Sequence, residues 1–307
     1  MTNPGLKETA TKDSSAEISS RSLTSDLIGT EKRLLTAALS GIKGHIRLSK
    51  NKIRANSGQR PATLNQEQRK PGYKLSEERT WEEPGDLIIE QIEIGPMQNF
   101  TYIIGCKATR EVVIVDPAWD VKSLVEHVED KDYTIKAAFA THYHPDHVGG
   151  SFSGNIVSGI SDLMEIKPLK VYANKLESDG LKKVTSVSDS DIVKVDSGDK
   201  MNIGNIEVEF LHTPGHTPGS QCFRVKNTLI SGDTLFINGC GRVDLPGSDP
   251  TEMYHSLQKL RGLPNETLIL PGHNYGSTPN ATLGETKKMN TYLNIKDLET
   301  WQSIMGE

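Results

Sequence analysis

The 307-residue sequence predicts an α/β fold in which two β-sheets pack together with helices outside them. Three observations predict it. Short apolar runs of strand length recur from Leu87 to Leu270. Segments of helical periodicity fall between and after those runs. The hydrophobic fraction of 35% is low for a compact globule, so part of the chain is expected to lie outside any core.

Residues 1–22 are rich in Ser, Thr, Lys and Glu and are expected to be disordered. From Leu27 a helical pattern sets in, with Leu27, Ile28, Leu34, Leu35, Ala38, Leu39, Ile42 and Ile46 on one face and Lys and Arg between them. Between Glu31 and Lys70 ten basic residues stand against two acidic ones, although the whole chain carries a formal charge of -5. Such a helix suits an anionic membrane surface or a protein partner, or it docks on its own domain. The stretch from Asn51 to Pro84 reads as a linker, so the domains divide as a 1–84 arm and an 85–307 catalytic domain.

The compact part begins with two strands, Leu87–Ile94 and Thr101–Ile104, joined by a turn at Gly95-Pro96. Glu111–Val115 is the next strand and Asp116-Pro117 ends it. A helix follows from Val121 to Asp130, then a buried strand from Ile135 to Ala140. Further strands are expected at Lys170–Tyr172, Ile206–Phe210, Gln221–Val225, Thr228–Ile230 and Leu268–Leu270. Helices are expected at 251–261, at 282–291 and near Leu298–Trp301.

The bulk numbers exclude several classes. A net charge of -5 offers no general field for nucleic acid. No apolar run approaches the ~20 residues needed to span a bilayer. Three scattered cysteines, Cys106, Cys222 and Cys240, make no disulfide framework. With no apolar signal stretch at the N-terminus, a reducing, cytoplasmic location is expected.

Chemistry concentrates where the Ile135–Ala140 strand ends. His142, His144, Asp146 and His147 place four potential metal ligands within six residues. Imidazole and carboxylate suit zinc or non-haem iron. On a loop after a strand, His142 and His144 point one way, and Asp146 and His147, where a helix would begin, point the other. That arrangement serves two metals better than one. Burying three histidines and an aspartate without partners would be costly, which argues against a structural role. His216, Asp233 and His273 share one format: an apolar strand, small or turn residues, then a ligand-type side chain. They bring the set to seven. His212 and His255 lack this context.

These segments, His-x-His-x-Asp-His, Thr213–Gly219, Ser231–Phe236 and Pro271–Tyr275, closely resemble the metallo-β-lactamase superfamily over residues 87–305. The resemblance implies a four-layer αββα sandwich with the site along one edge of the sheets. It implies that His142, His144 and His216 hold one divalent metal, Zn or Fe, and Asp146, His147 and His273 a second, with Asp233 between them. A hydroxide held by two cations near neutral pH would then attack a carbonyl carbon. Asp146 and Asp233 are the catalytic candidates, Asp146 orienting the hydroxide.

The segment Asp233–Arg242 resembles the glyoxalase II group, thioesterases that cleave S-acylglutathione. In that resemblance Arg242 binds the glutathione carboxylate and Tyr275 contacts the thiol moiety. Read without it, Arg242 makes an intradomain salt bridge and Tyr275 packs. Only 34 residues follow His273, where glyoxalase II carries a long helical C-terminal domain. Arg242-Val243-Asp244 also resembles the persulfide dioxygenase group, which uses one iron on residues matching His142, His216 and Asp233. The full seven-ligand set and Leu245–Asp249 favour hydrolysis. An alternative of another class is a tethered ligand-binding protein recruited by its basic arm.

Overall fold

The computed structural model describes residues 76–82, 85–152 and 154–305. The expected disorder of 1–22 and the basic helix from Leu27 lie outside the described residues. In chain order the elements begin with strands β1 (Ser76–Glu82), β2 (Leu87–Ile94), β3 (Asn99–Cys106) and β4 (Glu111–Val115). Helix α1 (Val121–Asp130), strand β5 (Thr134–Phe139), helix α2 (Pro145–Val148) and a hairpin of β6 (Gly150–Phe152) and β7 (Asn155–Val157) follow. Next come α3 (Ile160–Ile166), β8 (Lys170–Asn174), α4 (Ser178–Thr185), β9 (Ile192–Val195), β10 (Lys200–Ile203) and β11 (Ile206–His212). The chain closes with β12 (Gln221–Val225), β13 (Thr228–Gly232), α5 (Pro250–Arg261), β14 (Leu268–Pro271), β15 (Ala281–Thr282), α6 (Leu283–Met289) and α7 (Leu298–Met305).

Two sheets carry the fold. One runs β1-β2-β3-β4-β5-β8-β9 and the other β10-β11-β12-β13-β14-β15. Between them lies a core of Phe100, Phe139, Phe210, Phe223 and aliphatic side chains. Phe139 sits at its centre, with its ring 5.1 Å from Phe210 and 5.2 Å from Phe223. A second core joins the first sheet to α1, α3 and α4 through Leu124, Val128, Leu163 and Leu181. A third joins the second sheet to α5, α6 and α7 through Leu257, Leu283 and the wholly buried Trp301. Three apolar layers separate four layers of secondary structure, which is the αββα sandwich expected from the sequence.

Local chemistry sets the helix starts. Asp120 caps α1 by accepting the Ser123 N–H at 3.1 Å. Asp249 accepts from Thr251 and Glu252 at the start of α5, where Pro250 occupies the first turn. Thr282 and Glu285 form a capping box on α6.

The reading of 51–84 as linker throughout, and of 85 as the start of the domain, is corrected by β1. It pairs antiparallel with β2 from Ser76↔Glu93 to Glu82↔Ile88. An edge strand needs only one bonded neighbour and tolerates charge, so Ser-Glu-Glu-Arg-Thr carries no apolar signal. The helix expected at 282–291 stops at Met289, because Thr282 is its cap and Asn290 is extended. Helices α3 and α4 and strands β6, β7, β9, β10 and β15 were not expected; all are short.

Parallel pairing positions the site. Strands β4, β5 and β8 run parallel in one sheet, and β13 and β14 run parallel in the other. Their C-terminal ends deliver Asp116, Thr141, Asp233 and the Gly272-His273 turn to one edge. The two sheets are tied there by Phe100 N–H donating to the Gly272 carbonyl at 2.8 Å, while Gly272 N–H donates to the Gly232 carbonyl at 2.9 Å within the second sheet.

Candidate metal centre

All seven predicted ligand residues converge at this edge. Nδ1 of His144 lies 3.1 Å from Nε2 of His142 and 3.0 Å from Nε2 of His216. Nε2 of His147 and Nε2 of His273 face each other at 3.1 Å, and Asp146 Oδ2 is 3.4 and 3.5 Å from them. Asp233 stands between the two triads. Its Oδ2 is 3.3 Å from His273 Nε2 and 3.6 Å from His216 Nε2, and its Oδ1 is 3.4 Å from His147 Nε2. Six of the seven are buried, with His144 half-buried. Asp146 and His147 stand in α2, the helix start expected of them.

The outward nitrogens decide which atoms face inward. His147 Nδ1 meets the Asp116 carboxylate at 3.0 Å, His216 Nδ1 the Arg242 carbonyl at 2.8 Å, and His273 Nδ1 the Met97 carbonyl at 3.0 Å. These partners only accept, so each Nδ1 carries a proton, and the ring in its neutral form turns an Nε2 lone pair inward. His142 follows the same rule through Thr141, whose hydroxyl donates to Asp116 at 2.6 Å and accepts from His142 Nδ1 at 3.0 Å. Opposed at about 3 Å, these lone pairs repel unless a proton or a metal cation stands between them. Asp233 Oδ1 is buried without a hydrogen-bond donor, which fits the same reading. The residues present therefore suit two divalent cations.

The glycines of the site are spatially obligatory. A Cβ on Gly272 would fall 2.2 Å from Asp233 Oδ1, and one on Gly241 would fall 2.0 Å from the Asp233 carbonyl oxygen. Only a hydrogen fits at either position.

Electrostatics split the triads. Burial lowers the pKa of His142, and its neighbours His147, His144 and His216 lower it further. Burial, then His216, brings His144 down to about 4. Burial likewise lowers His216, more than the Asp233 charge raises it. His147 is also buried, but Asp146, Asp233 and Asp116 outweigh that and hold it well above the usual imidazole range. His273 is raised in the same way, chiefly by Asp233. Burial alone would raise Asp233 and Asp146, yet the histidine charges of His273 and His147 keep both below the usual carboxylate range.

The two predicted substrate contacts lie beside the centre. The Arg242 carbonyl is the partner of His216, and its guanidinium forks onto Asp244 with two 2.8 Å bonds. The intradomain salt bridge considered for Arg242 is thus present. Tyr275 stacks on the His273 ring at 4.5 Å and meets Phe236 edge-on at 5.8 Å. His212 bonds the Pro218 carbonyl and His255 lies exposed beside Tyr254, both outside the cluster.

Sequence reasoning missed three residues that hold the candidate ligands. Asp116 accepts from His147, from the Thr141 hydroxyl and from the Thr141 N–H at 2.7 Å. Its signal was present, since Val112–Val115 followed by Asp116 repeats the strand-then-carboxylate format of Asp233. Asn99 donates to Asp146 Oδ2 at 3.0 Å and accepts from Trp119 Nε1 at 2.9 Å. Glu177 accepts from the Tyr143 N–H, the Thr217 hydroxyl and the Gly219 N–H at 2.7, 2.8 and 2.6 Å. Burial raises the pKa of Glu177, and those three donors oppose the rise.

With this geometry in place, similarity to known proteins identifies the family. The Lactamase_B model, described as the metallo-beta-lactamase superfamily, matches residues 94–273. The chain belongs to that superfamily. A probable polyketide biosynthesis zinc-dependent hydrolase, PksB of Bacillus subtilis, is 29% identical over 66% of this chain and 84% of its own length. A hydroxyacylglutathione hydrolase of Rhodospirillum rubrum is 34% identical over 65% of this chain and 71% of its own. Among solved structures, ETHE1 from Myxococcus xanthus superposes with a TM-score of 0.60 at 29% identity, covering 71% of this chain and 90% of that one. Members of this superfamily include metal-dependent hydrolases, and a metallo-hydrolase fits the donor set described above. Among the described residues no helix is long and apolar enough to cross a membrane.

Proposed function

We propose that the protein is a thioesterase acting on S-acylglutathione or a related small thioester. The observation that carries the reading is the convergence of seven ligand-type side chains whose outward atoms are already committed. His142, His144 and His216 would hold one divalent ion, Asp146, His147 and His273 a second, with Asp233 shared. Bound there, zinc or iron would supply hydroxide near neutral pH and polarise the thioester carbonyl.

The chain's own groups do the rest. Asn99 donates to Asp146 Oδ2, which sets the direction of the carboxylate that would orient a nucleophilic water. Asp116 holds the imidazole tautomer directly at His147 and through Thr141 at His142. Tyr275 presents an aromatic face beside His273, suited to the apolar part of a thiol substrate. Arg242 lies next to the first triad, where its guanidinium would meet a substrate carboxylate by leaving or sharing Asp244. The names of the Rhodospirillum and Bacillus relatives support hydrolysis.

A second reading has one observation behind it. The Arg242–Asp244 fork realises the Arg-x-Asp feature shared with persulfide dioxygenases, which would use one iron and molecular oxygen. Metal analysis of the purified chain, with parallel assays of S-lactoylglutathione hydrolysis and of oxygen uptake on glutathione persulfide, separates the two. Two metals with thioester turnover are expected. One iron with oxygen uptake and no hydrolysis would replace the first reading by the second. The arm before β1, residues 1–75, is proposed as a targeting segment for a membrane surface or protein partner, and its deletion should leave turnover unchanged while abolishing recruitment.

A further inference from the structure

We infer that Glu177 is a positioning residue that clamps together the two loops carrying the first triad, and so sets metal affinity at that triad alone. The inference rests on the metal-ligand reading above.

Glu177 precedes α4 and is fully buried. Its carboxylate reaches two loops that are distant in sequence. Oε2 takes the N–H of Tyr143, the residue between His142 and His144. Oε1 takes the hydroxyl of Thr217, immediately after His216, and the N–H of Gly219. One side chain thus holds the chain next to each of the three first-triad histidines. The second triad is held otherwise, by Asn99, Asp116 and the Met97 carbonyl.

The local sequence is shaped around this carboxylate. A Cβ on Gly219 would fall 2.8 Å from Glu177 Oε1 and 2.7 Å from its Cγ. A Cβ on Gly180, in the next turn, would fall 2.5 Å from the Tyr143 ring. Among the described residues no basic side chain forms an ion pair with Glu177. A buried carboxylate without a cation is costly, and three short donors only partly offset the loss of water. Cation binding by the histidines on either side of Tyr143 would place positive charge near it. That makes the clamp and the first triad mutually stabilising.

The Glu177→Gln variant tests this sharply. An amide offers one acceptor oxygen, so either the Tyr143 N–H or the Gly219 N–H must face an NH2 group in whichever orientation it adopts. Zinc affinity is read on the full chain by competition with a chelating dye in two backgrounds. His273→Ala leaves only the first triad intact, and His216→Ala leaves only the second. E177Q is expected to weaken zinc ~10- to 100-fold in the first background. In the second it should change nothing beyond about twofold. Equal losses in both would show a general folding defect and overturn the clamp, as would no loss in the first. Should E177Q fail to fold, Thr217→Val removes one donor, with a loss of roughly 2- to 10-fold expected in the first background only. No loss there would also overturn the clamp. If the unsubstituted chain binds no zinc, the metal reading itself fails; two tight sites without a selective loss would sink the clamp alone.

Discussion

Lowering the pH from 7.5 to 6.0 should weaken metal binding at the second triad while leaving the first almost untouched. A ligand histidine must be neutral, so each imidazole that is protonated in the metal-free protein gives up a proton when metal binds. At the first triad, His144 is depressed to about 4, and His142 and His216 are also lowered. His144 is therefore neutral across the interval, and the lowering at His142 and His216 disfavours a proton on those rings as well. At the second triad His147 and His273 are raised, by Asp146 and Asp233 acting on His147 and by Asp233 acting on His273. Each proton displaced makes the apparent affinity fall about tenfold per pH unit below the raised pKa. Over 1.5 units the ceiling is roughly 30-fold for one displaced proton and roughly 1,000-fold for two. Zinc competition titrations in the His216→Ala background should show that fall, and those in the His273→Ala background should stay within about twofold. The sign for stability runs in parallel. In the metal-free protein, the raised pKa of His147 and His273 contributes stability that is present below about pH 6.5 and lost as pH rises through the folded pKa. A first-triad affinity that falls as steeply as the second, or a second that stays flat, would refute the electrostatic division between the triads.

Three further outcomes follow from the packing. Replacing Asp116 by Ala strands the Thr141 N–H, the Thr141 hydroxyl and the His147 Nδ1–H in the interior, and should cost at least about 3 kcal/mol in denaturant unfolding of the metal-free protein. Gly272→Ala drives a methyl group to 2.2 Å from Asp233 Oδ1, and should cost at least ~10-fold in zinc affinity with an unchanged circular dichroism spectrum. Trp301→Ala empties a fully buried position and removes the indole bond to the Pro250 carbonyl; about 3–5 kcal/mol should be lost in urea unfolding, with zinc stoichiometry retained.

The amino-acid sequence by itself supplied the inventory of candidate ligands. His142, His144, Asp146 and His147 are legible because four metal-type residues crowd one strand end. His216, Asp233 and His273 are legible because each follows a strand through small residues. The strands of both sheets were legible for a related reason, since a strand buried on both faces must be apolar throughout, as in Val112–Val115. Edge strand β1 and the short helices α3 and α4 were not, because partial burial demands no such run. Only the tertiary structure decided which atoms face the centre. The proton on His216 is placed by the Arg242 carbonyl and that on His273 by the Met97 carbonyl, and a carbonyl is common to every residue. Glu177 and Asn99 meet their partners across 34 and 47 residues of chain, through pairings of strands that no local pattern encodes. Ligand identity is a property of side chains and can be read in one dimension. Ligand direction is a property of what stands behind them, and needs three.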